Sequence, residues 1–128
     1  SNAKVLADEM KKKDYTLVSG GTDTHLILID LTNKEISGKL AEQKLEEAGI
    51  TTNKNMIPFD TKSPMITSGI RIGTPALTTR GMGKEEMIVI AQLIDNVLSD
   101  IDNENNINKI KKSVEELCDE FELYPSIK

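Results

Sequence analysis

The spacing of hydrophobic positions changes period several times along the chain, and each change marks an element. Val5, Leu6 and Met10 share one side of a helix that ends near Lys13, with Lys11, Lys12 and Lys13 in the last turn, where the helix dipole favours cations. Tyr15–Ser19 and His25–Leu31 then read as two strands joined across the turn-forming run Gly20-Gly21-Thr22-Asp23. Leu26, Ile27, Leu28 and Ile29 are apolar on both alternating faces, so the second strand is expected at the centre of a sheet or covered on both sides. Ser37 is an N-cap for a helix over 38–48, whose buried face is Leu40, Ala41, Leu45 and Ala48 and whose left-handed stop is Gly49. Ile70-Arg71-Ile72 is a short strand, and Thr74-Pro75 opens a short helix ending at Arg80-Gly81. The stripe Met87, Ile90, Ala91, Ile94, Val97 and Leu98, Ile101 keeps the 3.6-residue period and predicts a helix over 85–101. A last helix is expected over about 108–122. The pattern is α/β of the α+β type, with a small antiparallel sheet of about three strands and helices packed on it.

Between Ile50 and Ser68 no period holds. Asn53, Asn55, Pro58, Asp60 and Pro64 punctuate a stretch too long for a simple connector, and long loops of this kind commonly carry function.

Composition narrows the function classes. The chain has 128 residues, enough for one domain, and a formal charge of −5, which argues against nucleic acid and anionic membrane surfaces as partners. No run approaches the ~20 apolar residues of a membrane span, and a cytoplasmic location is expected. The single cysteine, Cys118, stands at the spacing of an apolar helical face and reads as an inert thiol. With 3% aromatic residues and the one histidine His25, which reads as a structural strand residue, aromatic cages, metal clusters and His-based triads are poorly supplied, and no metal site is expected. Ser1-Asn2-Ala3 reads as the remnant of a cleaved expression tag.

Candidate chemistry concentrates in 68–81. Arg71 lies between Gly69 and Gly73, which keep bulk away from its strand, and its planar, permanently charged fork matches a carboxylate through two parallel hydrogen bonds. The residues alone favour the plainer reading, an arginine that ends a strand and pairs with a surface Asp or Glu. Arg80 sits in a last helical turn, where the dipole alone favours it, and is read as a supporting or structural residue. In the long loop, the Asn53 and Asn55 amides could match the donor and acceptor edge of a pterin, and Ser63-Pro64-Met65 forms a rigid turn with one soft apolar side chain. Turn chemistry explains the same residues without a ligand. Gly20-Gly21 lacks the spacing and lysine of a phosphate loop, and Asp100-Ile101-Asp102-Asn103-Glu104 lacks the pattern of a calcium loop.

Three blocks taken together, Leu17-Val18-Ser19-Gly20-Gly21-Thr22-Asp23, Ala48-Gly49-Ile50-Thr51-Thr52-Asn53-Lys54-Asn55 and Ser68-Gly69-Ile70-Arg71-Ile72-Gly73-Thr74-Pro75, resemble the end of serine hydroxymethyltransferase in order and separation. The resemblance implies that residues 4–128 are the carboxy-terminal small domain of a pyridoxal-phosphate transferase, also called glycine hydroxymethyltransferase, that interconverts serine and glycine with tetrahydrofolate as one-carbon carrier. It implies that Arg71 holds the amino-acid carboxylate, with Arg80 behind it, and that Asn55, Ser63, Pro64 and Met65 lie where the family meets folate. Met65 stands where an aromatic residue is common. The block around the cofactor lysine, His and Lys among threonines, is not in this sequence, so the resemblance places pyridoxal phosphate on a large domain outside it, leaves this piece inactive alone, and gives the full enzyme a homodimeric or homotetrameric assembly. A free-standing small-molecule binding or regulatory module of the same fold is the competing reading, and another pyridoxal-phosphate transferase a third.

Overall fold

The computed structural model describes residues 2–18, 26–73 and 83–120. Four helices are described, α1 (Asn2–Lys12), α2 (Gly38–Glu47), α3 (Lys84–Ser99) and α4 (Glu104–Glu120), with strands β1 (Thr16–Leu17), β2 (Leu26–Asp30), β3 (Asn53–Asn55) and β4 (Gly69–Gly73). The strands form one antiparallel sheet in the order β1-β2-β4-β3. The α+β class and the central place of the second strand are as the sequence indicates. The expected helix over 74–80, with Arg80, lies outside the described residues, as do His25 and the turn over 20–23.

The sheet has four strands where about three were expected. Asn53-Lys54-Asn55 has no apolar alternation because it is an edge strand: its backbone pairs with β4, with Asn53 opposite Arg71 and Asn55 opposite Gly69. Its other support is polar, the Lys54 amide donating to the Glu42 carboxylate of α2 at 2.8 Å and Lys54 Nζ lying 3.6 Å from Glu42 Oε1. The last helix begins four residues earlier than its hydrophobic stripe suggests, at Glu104. Asn103 Oδ1 accepts the Asn106 amide at 3.0 Å, so an N-cap inside an all-polar turn sets the start.

Register divides the sheet into two unlike faces. Ile27, Ile29, Ile70 and Ile72 are buried against Leu6 and Met10 of α1, Leu45 of α2 and Met87, Ile94 and Val97 of α3. Ile107, Ile110 and Val114 of α4 extend the same core beneath α2 and α3. The alternate positions, Leu28 and Arg71, are half-buried and exposed. Tyr15 ties the strand entry to α3: its hydroxyl donates to Asp95 Oδ1 at 2.8 Å, Lys34 Nζ lies 4.5 Å from its ring centroid, and burial together with the Asp95 contact pushes the phenol pKa up.

Helix α2 starts against the end of the long loop. Ser37 Oγ accepts the Leu40 amide at 3.1 Å, as its N-cap reading requires, and two further amides of the first turn are satisfied from outside, Gly38 N–H by the Thr67 carbonyl at 3.1 Å and Lys39 N–H by the Ile66 carbonyl at 2.9 Å. Such approach needs glycine at 38, since a Cβ there would overlap Thr67 Oγ1 and the Gly69 carbonyl. Alanine has the better helix propensity by at most about 1 kcal/mol, whereas overpacking against backbone costs about 1–3 kcal/mol. Gly38→Ala should therefore lower stability by about 1–2 kcal/mol in denaturant unfolding; unchanged or increased stability would refute the close contact.

Candidate functional site

The open face of the sheet is centred on Arg71. Strand β4 is interior, so Arg71 has a neighbour on each side, Leu28 of β2 and Asn53 of β3, with Gly69 and Gly73 two positions away along its own strand and on the same face. Arg71 is exposed, and among the described residues it enters no ion pair. The surface-pair alternative thus finds no support among those residues. The guanidinium stands between an aliphatic side chain and an amide, and its planar fork has the geometry to match a carboxylate through two parallel hydrogen bonds.

The two glycines do not play the same part. A Cβ at Gly69 would come within 2.8 Å of both the Ile29 carbonyl oxygen and Ile57 Cγ2. The room left by Gly69 is taken by the backbone of the neighbouring strands and by the chain's own Ile57, the close approach that a glycine at this position permits.

That loop presents its remaining apolar side chains outward. Met56, Phe59, Met65 and Ile66 are exposed, Phe59 fully and Met65 at 73%. Ser63 and Pro64 are exposed as well, so the residues expected near folate are accessible. Asn55 is half-buried, and its Nδ2 donates to the Met56 carbonyl at 2.9 Å, which turns the side chain toward its own loop.

What gives the loop a fixed shape is Asp60, a residue to which the sequence reading assigned no role. Its carboxylate accepts the amides of Lys62 at 2.8 Å, Ser68 at 2.8 Å and Ile57 at 3.3 Å, and the Ser68 hydroxyl at 2.8 Å. The bond to Lys62 two residues on is an Asx turn, the signal by which the residue could have been found beside Pro58 and Pro64. Thr67, buried with φ of 59°, bonds its hydroxyl to the Gly69 carbonyl at 3.0 Å and completes the junction.

Among the described residues no group of three or more His, Cys, Asp or Glu is placed to hold a metal ion, and no helix is long and apolar enough to cross a membrane.

The architecture is that of a small α+β domain with an exposed arginine on one sheet face and a hydrogen-bonded loop beside it. The sequence matches the serine hydroxymethyltransferase family over residues 1–94, from α1 into α3, and the chain belongs to that family of transferases. Enzymes of the family act in one-carbon metabolism and generally depend on pyridoxal phosphate and folate.

Asp60 gives the site a measurable pH signature. Partial burial alone would raise its pKa, but the hydrogen bonds from Lys62, Ser68 and Ile57 outweigh it and hold the group at about 2, below the ordinary 3.8. A depressed folded-state value means that the stabilisation is fully present above about pH 4 and is lost as pH falls toward 2. The Asp60 carboxyl carbon should titrate by NMR with a midpoint near 2; a midpoint near 3.8 would mean the carboxylate is not held as described.

Proposed function

We propose that this chain is the carboxy-terminal small domain of a serine hydroxymethyltransferase, which interconverts serine plus tetrahydrofolate with glycine plus 5,10-methylenetetrahydrofolate. The observation that carries this reading is Arg71 itself, an exposed cation at the centre of an open sheet face in a chain of that family. Arg71 binds the substrate carboxylate through both of its terminal nitrogens and so fixes the rotation of the amino acid about its α-carbon, while Arg80 supports it from the following segment. Asn55, Ser63, Pro64 and Met65 form one wall of the folate site. Ser63 to Met65 are exposed and can meet a flat ring, and the Asn55 amide, bonded locally to Met56, keeps its oxygen as an acceptor.

Pyridoxal phosphate supplies an electron sink when bound, and residues 4–128 do not provide its attachment. Lys54 is paired with Glu42 and Lys62 donates to Ser68 Oγ at 3.2 Å, so both serve the loop and its neighbouring helix. The reading therefore assigns the cofactor to a large domain outside these residues, expects no turnover from this domain alone, and assigns closure of the open face to that domain within a cytoplasmic homodimer or homotetramer.

A buried two-point pair between Arg71 and a carboxylate leaves one charge unpaired when the arginine is removed, a loss of roughly 2–5 kcal/mol. In the full-length enzyme Arg71→Ala should lower kcat/KM for serine by about 30-fold to several thousand-fold. Arg71→Lys should recover little of this, because lysine keeps the charge and loses the fork. The cofactor spectrum should be unchanged in both. Near-normal serine affinity and turnover in Arg71→Ala would place the carboxylate clamp elsewhere, with Arg80 the next residue to test.

A further inference from the structure

Segment 57–68 leaves the sheet at β3 and returns to it at β4, and every exposed residue between those points depends on how its backbone is held. Ser63, Pro64 and Met65 are all exposed, so core packing does not locate them. Their frame is a set of hydrogen bonds: the Ser63 carbonyl accepts the amides of Ile66 at 3.0 Å and Thr67 at 2.9 Å, and Lys62 and Ser68 on either side are bound to Asp60. One oxygen, Oδ2, takes the amides of Ile57 and Ser68, the first and last residues of the segment; the other, Oδ1, takes the Lys62 amide and the Ser68 hydroxyl. Ser68 is 2% exposed, its carbonyl accepts the Leu31 amide at 2.8 Å, and its hydroxyl also accepts from Lys62 Nζ. The next residue begins the strand that carries Arg71.

We propose that Asp60 is a positioning residue, whose carboxylate sets the Ser63–Met65 turn and the Arg71 strand in a fixed relation so that both contact regions of the open face meet one ligand assembly together. This deepens the functional reading above and rests on it: the carboxylate of the amino acid and the flat ring of the folate are brought into register by a side chain that touches neither. The site requires a carboxylate. All four groups that reach it are donors, so an asparagine would offer one oxygen to them and set its own NH₂ against the rest. A glutamate would carry the same two oxygens one methylene further out, past the positions where the amides converge.

Three variants separate the claims, Asp60→Asn, Ser68→Ala and Arg71→Ala. In the 128-residue chain, amide hydrogen exchange at Lys62, Ile66, Thr67 and Ser68 should rise by about tenfold or more in Asp60→Asn, while the core amides of α3, such as Ile94 and Val97, change by less than about twofold. Ser68→Ala, which removes a single hydroxyl, should give an intermediate rise at the same amides and serves if Asp60→Asn does not fold. In the full-length enzyme Asp60→Asn should raise KM for serine and for tetrahydrofolate together with a smaller change in kcat, and Asp60→Glu should not restore either. Loop exchange unchanged in both Asp60→Asn and Ser68→Ala, or a rise spread equally through α3, would overturn the positioning role. Arg71→Ala should leave loop exchange as it is, so a normal serine KM in that variant would count against the carboxylate reading and not against the loop clamp.

Discussion

The close meeting of Gly38 with Thr67 and Gly69 is the contact on which the rest of the arrangement depends. At this point the first turn of α2, the end of the long loop and the first residue of β4 share their backbone hydrogen bonds. The orphan amides of a helix start, which elsewhere would face water or a capping side chain, here fix the carbonyls of Ile66 and Thr67. Strand β4 is thereby launched from a helix terminus, and with it the register that sends Ile70 and Ile72 inward and Arg71 outward. A one-residue slip would exchange those faces, burying a guanidinium in the isoleucine core.

From that register follows a sheet with two unlike faces. One packs into the helical core, with α4 behind α2 and α3, and supplies the apolar burial that holds the domain together; the other carries Leu28, Arg71 and Asn53 and has no helical cover among the described residues. An antiparallel sheet tolerates such asymmetry because water can satisfy the open side. The same asymmetry is what function needs in the proposed assembly. A cation buried within its own domain would be neutralised by an internal acid, whereas Arg71, left exposed, retains its hydrogen-bonding capacity for a ligand and a second surface.

Helices α2 and α3 and the central strand were legible in the sequence because apolar burial writes its period into the chain, as Leu45 and the Met87 to Leu98 stripe do. Ser37 and Gly49 marked the ends of α2 for equally local reasons, a side-chain cap and a φ of 86°. The misses share a physical cause, which is that polar backbone interactions leave no periodic trace. Strand β3 is all polar, held at an edge by β4 and Glu42; the start of α4 is set by Asn103; the loop is shaped by one aspartate. At the candidate site, Arg71 could be singled out from its glycine-flanked block, but its exposure and its lack of an ion pair among the described residues come from the register of β4. The packing of Ile57 against Gly69 left no trace in the sequence, because only the three-dimensional path of the loop brings the two together.

On the proposed function, the open face is half of a site that a second domain completes. Titration of serine and of glycine into the 128-residue chain, followed through the Arg71 side-chain Nε–Hε signal and by calorimetry, tests it most directly. A single exposed ion pair contributes at most about 1 kcal/mol, far below the roughly 8 kcal/mol of a micromolar complex, so no saturable binding should be seen below millimolar ligand. Saturable micromolar binding at Arg71 in this chain would rule out a half-site and identify a self-contained binding module instead.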